Sequence, residues 1–331
     1  MKLFLGLLSI AILMHPLRGD DRPNIVLIMV DDLGYSDLGC FGGEISTPNI
    51  DRLANGGLRL TQLYNSARCC PTRASLMTGL YPHQAGVGFM AADNGMPGYR
   101  GFLTDRCVTT AQLLKKGGYK TYLSGKWHLR GHGNPDCTPT NRGFDEFFGP
   151  FRDYASFYRE DIYHRLPEGR KKLPSDKPFY ATGAITDYAL HFVKEARSQQ
   201  KPYYLYLAYN APHFPLQAPI EMIEKYVDTY SKGWDIIRQE RSQKIGELGL
   251  FENQFKLTDR GLVPQVPNRN KDSPYYGAEI PVWGSLNLDR QKDLTRRMAT
   301  YAAMVEIVDT NIGRLLTGIR FFKEFLSGRR S

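Results

Sequence analysis

The chain has 331 residues, 42% of them hydrophobic and 23% charged, which suits a soluble globular protein of one large domain or two small ones. The formal net charge of +9 comes from scattered Lys and Arg, with no long basic run interleaved with aromatics, so nucleic-acid binding is not expected and a solvated basic surface that attracts anions is. The cysteines are Cys40, Cys69, Cys70, Cys107 and Cys137; their odd number leaves one outside any intramolecular disulfide set, and the lack of a C-x-x-C pair argues against a structural zinc site.

Lys2 followed by the apolar run from Leu3 to Met14 and a break at 15–19 predicts a secretory signal peptide cut near Gly19, hence a secreted or periplasmic protein. No later segment is apolar enough to span a bilayer. Ile25 to Val30 reads as a strand buried on both faces. Thr47-Pro48 supplies an N-cap and an N1 proline for a helix through Leu53. Leu58 to Tyr64 reads as a second strand, and Pro71 opens a helix through Met77. A helix over Thr110 to Lys116 stops at Gly117-Gly118, and Tyr119 to Leu123 is a strand. Thr186 to Ser198 is an amphipathic helix, with Ala189, Phe192, Val193 and Ala196 on one face. Tyr203 to Tyr209 is a strand, and Leu288 to Leu316 one long helix. The polar, Pro-containing stretch at about 220–288 reads as a surface excursion, partly helical over 234–248. Strands alternating with helices predict an α/β fold with a largely parallel sheet.

Three strands run directly into polar residues. Asp31-Asp32 follows Val30, Lys126-Trp127-His128 follows Leu123, and His213 follows Tyr209. Sites in open α/β sheets collect beyond the carboxyl ends of the strands, so these groups can converge. Paired acids at a strand end cap a turn as readily as they hold a hard divalent cation. Cys69 precedes a proline-containing helix whose N-terminus stabilises an anion, with Arg73 one turn in. That setting fits an activated thiolate, and equally a buried cysteine pair.

Cys69-x-Pro71-x-Arg73 followed by Thr78-Gly79 resembles the signature of the formylglycine-dependent sulfatases, in their bacterial arylsulfatase-like form. Thr72 stands where that family usually has serine. The resemblance extends to Arg22-Pro23-Asn24-Ile25 with Asp31-Asp32-Leu33-Gly34, to the segment 47–54, to Gly125-Lys126-Trp127-His128-Leu129 and to Ala211-Pro212-His213-Phe214-Pro215, covering roughly residues 22–320. It implies an alkaline-phosphatase/sulfatase-like sandwich with a central mixed, mostly parallel sheet flanked by helices. It also implies that a formylglycine-generating system converts Cys69 during export. One hydroxyl of the hydrated aldehyde then attacks the sulfur of a small-molecule or glycan sulfate ester, and the other loses its proton to expel sulfate. Ca2+ would be held by Asp31, Asp32 and the modified Cys69. Arg73 would hold the nucleophile, Lys126 would bridge it to sulfate, His128 would act as base, and His213 would help protonate the leaving oxygen.

The family's Asp-Asn-Gly strand, which completes its metal site, has no counterpart after the long helix. Asp93-Asn94-Gly95 reads as a turn, and Asp309 and Asn311 fall inside the helix. Residues 20–331 are thus expected to form an incomplete sulfatase catalytic domain, truncated at the C-terminus and impaired in activity. The alternatives are a non-catalytic, anion-binding remnant and a phosphatase or phosphodiesterase of the same superfamily.

Overall fold

The computed structural model describes residues 22–151, 156–251, 256–262 and 277–327; the expected signal peptide lies outside the described residues. In chain order the elements are β1 (Ile25–Asp31), α1 (Pro48–Asn55), α2 (Cys69–Thr78), α3 (Thr110–Lys116), β2 (Lys120–Gly125), β3 (Glu146–Gly149), β4 (His164–Leu166), α4 (Ala181–Ser198), β5 (Tyr203–Pro212), α5 (Ile220–Ser231), α6 (Trp234–Glu247) and α7 (Leu288–Ser327). The strands form one sheet in the order β1-β5-β2-β3-β4. All neighbours pair in parallel except β3 and β4, which are antiparallel. The sheet is therefore mixed and mostly parallel, as expected.

The sheet divides the core because successive side chains of a strand point to opposite faces. On β5, Tyr203, Leu205, Leu207, Tyr209 and Ala211 pack against α4 and α7 with Phe192, Val193, Met304 and Ile312. Tyr204, Tyr206 and Ala208 face the other way, into a core with Cys70, Ala74 and Met77 of α2, together with Trp127 and Phe144. The expected face of α4 is buried, from Ala189 to Ala196. Each large apolar side chain fully removed from water contributes about 1.5–3 kcal/mol, so this double-sided burial fixes the register of β5.

Several expectations are corrected. Residues 58–64 are irregular rather than a strand, and Leu58, Leu63 and Tyr64 are exposed; the segment pairs with no described strand. The strand β1 is not buried on both faces: it is outermost among the described strands, bonded on one side to β5, and mostly half-buried. It is β5, flanked by β1 and β2, that is buried throughout. α2 opens at Cys69 rather than Pro71, because proline is tolerated in a first turn whose N–H groups have no intrahelical acceptor.

Thr47 does not cap α1 with its side chain. Its hydroxyl accepts from the Gly39 amide at 2.9 Å and donates to Asp51 at 3.0 Å. Asp309 of α7 takes the capping role instead, accepting the amides of Asn49 at 3.0 Å and Ile50 at 2.8 Å.

The stretch after β5 lies outside the sheet but has its own core. Ile223, Tyr226 and Tyr230 of α5 and Ile237 of α6 pack with Ala299, Ala302, Ala303 and Val305 of α7. The helical content there exceeds the expectation, since α5 is a full element. Among the described residues no helix is long and apolar enough to cross a membrane.

Candidate active site

The end of β1 delivers Asp31, and the end of β2 delivers Lys126. Gly125 makes the second placement feasible. Its φ is +118°, and a Cβ there would lie 1.9 Å from the Ala208 carbonyl oxygen of β5. Only glycine allows so close a crossing. The Lys126 amide continues the pairing by donating to that same oxygen at 2.8 Å. Lys126 Nζ donates to Asp31 Oδ2 at 2.5 Å, with both side chains sealed from solvent.

Arg73 completes this buried half. Its Nη1 donates to the Lys126 carbonyl at 2.7 Å and to the Tyr206 hydroxyl at 3.2 Å, and its Nη2 lies 3.4 Å from Asp31 Oδ2. Burial raises the Asp31 carboxyl, but the charges of Arg73 and Lys126 outweigh it and hold the group below the usual carboxylate range. Burial opposes the Arg73 charge too; Tyr206, Asp31 and the Cys69 and Cys70 thiols together hold its pKa above the ordinary value. Arg73 Nε and Nη2 are buried with no hydrogen-bond acceptor. Nη2 still faces the Asp31 carboxylate at 3.4 Å, so Nε is the donor that favours a further acceptor.

Cys69 stands at the first turn of α2. Its sulfur, that of Cys70 and one ring nitrogen of His128 lie within 4.8 Å of one another. A hydrogen bond from Cys70 lowers the Cys69 pKa; burial works against this, and His128 and Lys126 add to the lowering. The same bond, together with burial, pushes the Cys70 thiol up. Cys69 thus carries the anion of the pair, as a helix N-terminus favours. All five cysteines are free thiols. Thr72 does specific work where serine is usual: its hydroxyl accepts the Ser66 amide at 3.1 Å, tying the loop before α2 to the helix. Gly79, in the left-handed conformation at φ +70°, closes α2 by donating its amide to Ser75 O at 2.8 Å.

The other half of the site is open. Asp32 adopts φ +61°, uncommon for a residue with a side chain, and its carboxylate is 61% exposed. His213 Nε2 approaches Asp32 Oδ2 at 3.6 Å, and its Nδ1 lies 2.5 Å from the Phe214 carbonyl oxygen. Burial raises the Asp32 carboxyl; His213 offsets this in part, while the charges of Asp31 and Cys69 push it further up, leaving it above its ordinary value. A carboxylate crowded by two anionic neighbours is where a hard cation relieves repulsion, so Asp31, Asp32 and the Cys69 position suit a calcium ion by charge and donor chemistry, although among the described residues the ligand atoms gathered within 4.8 Å of one another are those of Cys69, Cys70 and His128 and not of the two acids.

The structure brings together every residue that the sequence singled out, in three contacts: Asp31–Arg73–Lys126, Cys69–His128 and Asp32–His213. Sequence reasoning missed Tyr206, which reads only as one more apolar position of a strand, and the hydrogen-bonding role of Cys70. The acids rejected from sequence as metal ligands have other work. Asp93 accepts the Gly95 amide at 2.8 Å and pairs with Arg100, and Asp309 caps α1.

The family described as Sulfatase matches residues 23–321. The chain belongs to the sulfatase family. It is 36% identical over 327 residues to an uncharacterised sulfatase of Schizosaccharomyces pombe, an overlap of 92% of this chain and 55% of that protein. It is 34% identical over 313 residues to an arylsulfatase of Klebsiella aerogenes, covering 91% of this chain and 63% of the relative. The crystal structure of Ps i-CgsB in complex with k-i-k-neocarrahexaose superposes with a TM-score of 0.59 at 27% identity, over 90% of this chain and 55% of that one. The fold is the alkaline-phosphatase-like one of this family. The chain spans between about half and two thirds of the length of these relatives.

Proposed function

We propose that this site hydrolyses sulfate monoesters, with Cys69 converted to formylglycine and a calcium ion held by Asp31, Asp32 and the modified residue. The observation that carries the reading is the Cys69–Arg73–Lys126 arrangement: a modifiable side chain at a helix N-terminus, beside two sealed cations whose neighbour is a carboxylate at a strand end. Hydrated formylglycine supplies one hydroxyl for attack on sulfur and a second whose deprotonation releases sulfate. Bound calcium supplies positive charge for the sulfate oxygens.

The chain's own residues do the rest. Arg73 and Lys126 stabilise negative charge at position 69 without reorganising, because both are already fixed by the sheet. His128, with a ring nitrogen within 4.8 Å of the Cys69 sulfur, would take a proton from the group at position 69. His213 donates Nδ1–H to Phe214 O, which leaves Nε2 as the atom that exchanges a proton toward the open side. That geometry suits protonation of a departing alcohol or phenol oxygen.

The names of the relatives support an aryl sulfate, and the k-i-k-neocarrahexaose bound to Ps i-CgsB supports a glycan ester. Export through a signal peptide over residues 1–19, with conversion by a formylglycine-generating system on the way, belongs to the same proposal, as does a single catalytic unit over 20–331.

The test is to produce the chain with a formylglycine-generating enzyme, map the aldehyde by peptide mass spectrometry, and assay aryl sulfate and sulfated oligosaccharide hydrolysis. Aldehyde at Cys69 is expected, with a turnover that is weak, in keeping with the impaired activity expected from the sequence, and that is lost in Cys69→Ala. Thiol at Cys69 under conditions that convert a control sulfatase, or turnover that survives Cys69→Ala, overturns the reading.

A further inference from the structure

Asp32 stands on a short loop after β1 with its backbone in a left-handed conformation. Such a conformation persists when its surroundings over-determine it. The surroundings here come from far away in sequence. The Tyr301 hydroxyl of α7 has one proton to share between the Asp32 carbonyl oxygen at 3.0 Å and Asp37 Oδ2 at 2.6 Å. Asp37 Oδ2 also accepts the Gly34 amide at 2.8 Å, so one carboxylate oxygen gathers the loop and the helix. The other oxygen, Oδ1, accepts Arg241 Nη1 of α6 at 2.7 Å. Arg241 is itself fixed by a two-pronged bond to Glu44, Nε to Oε2 at 2.6 Å and Nη2 to Oε1 at 2.7 Å. Tyr230 of α5 donates to the same Glu44 at 2.6 Å. The Arg241, Asp37 and Glu44 side chains are only 17%, 7% and 10% exposed.

We infer that Arg241 is a positioning residue for Asp32, acting through Asp37 and Tyr301. The helical excursion after β5 then has a function at the site. It carries a planar guanidinium that locks two nearly buried carboxylates at once, a task for which lysine lacks the fork. Its effect reaches the Asp32 main chain through one tyrosine hydroxyl. The inference rests on the reading of Asp32 as a calcium ligand, and residues that orient a ligand without touching the metal are typically worth 10–100-fold in affinity.

The experiment is calcium titration of the full chain by calorimetry, with thermal unfolding in chelator as the control for folding. Tyr301→Phe keeps the ring and both Arg241 ion pairs, and removes only the hydroxyl between Asp37 and Asp32. It is expected to weaken calcium binding about tenfold while unfolding remains a single transition. Arg241→Met is expected to weaken it at least as much, and Arg241→Lys to restore part of the loss. Asp32→Asn is titrated alongside. Unchanged affinity in Tyr301→Phe and Arg241→Met, where Asp32→Asn has lost binding, overturns the positioning role and leaves the calcium reading standing. Binding that survives Asp32→Asn, or none in the parent chain, overturns the calcium reading and the role of Arg241 with it.

Discussion

Asp31 and Glu146 stand at opposite ends of one sheet, the first at the carboxyl end of β1 and the second at the start of β3. Each is 4% exposed. Their carboxyls nevertheless move in opposite directions. Burial raises both. At Asp31, Arg73 and Lys126 outweigh burial and bring the group below its usual range. At Glu146, a hydrogen bond with Glu195 and the Glu195 charge add to burial, Arg170 only partly offsets them, and the carboxyl is pushed up to about 7. Depth alone therefore does not decide the state of a buried acid; the balance of neighbouring charge does. The carboxyl end of the sheet sets two cations against the Asp31 carboxylate, with Arg73 Nη2 facing it at 3.4 Å and Arg73 Nε left without an acceptor. At the amino end Arg170 faces Glu146 and Glu195 together.

The most severe way to break this contrast is to remove a cation from the sealed end. Lys126→Met leaves Asp31 buried with Arg73 as its remaining close partner at 3.4 Å. Breaking a buried pair from one side costs ~3–5 kcal/mol, and urea denaturation is expected to show a loss of that size. A loss below about 1 kcal/mol would mean that Asp31 behaves as a surface acid, and the two ends would no longer differ in kind.

A gentler test works at the other end. Below pH 4.5, the ordinary value for glutamate, Glu146 is protonated in both folded and unfolded chains. As pH rises toward about 7 the unfolded chain releases its proton first, so stability falls; above about 7 both forms have released it and the fall levels off. The charged groups around it are Glu195, Arg170 and Asp145. The parent chain is expected to lose on the order of 3 kcal/mol across that window through this group. Glu146→Gln, which stays neutral, is expected to flatten the curve. Parallel pH–stability profiles for the two proteins would show that Glu146 ionises normally, and that Arg170 alone balances both its burial and the Glu195 charge.

The sheet and most of the site were legible because each relevant strand is an apolar run followed at once by polar residues. The runs ending at Val30, Leu123 and Tyr209 mark where Asp31, Lys126 and His213 must emerge. The short strand Glu146–Gly149 escaped, since four residues carry too little periodicity to separate a strand from a turn. The partners of the site escaped for another reason. Arg241 and Glu44 are 197 positions apart and Tyr301 and Asp32 are 269, and no local pattern links them. Thr47 shows a local rule losing to tertiary structure: it has the letters of a cap, but Asp309 reaches the helix amides first and the threonine turns to Asp51.

The smallest expected stability effect lies at the open half of the site, where the contrast can be sharpened most. His213 and Asp32 approach at 3.6 Å, but the Asp32 carboxylate is 61% exposed and screened by water. Exposed pairs of this kind are worth ~0–1 kcal/mol, so His213→Gln is expected to change stability by less than about 1 kcal/mol. Its effect on chemistry should be far larger. General acid–base groups supply ~10²–10⁴ in rate, and turnover of a sulfate ester by the formylglycine-bearing protein is expected to fall by at least a hundredfold. The fall should be greatest for esters with poor leaving groups, which depend most on a proton at the departing oxygen. If turnover barely changes, His213 is not the proton donor. If stability instead drops as far as in Lys126→Met, the open half is held as tightly as the sealed half, and the division of the site into a sealed charged half and an open proton-transfer rim fails.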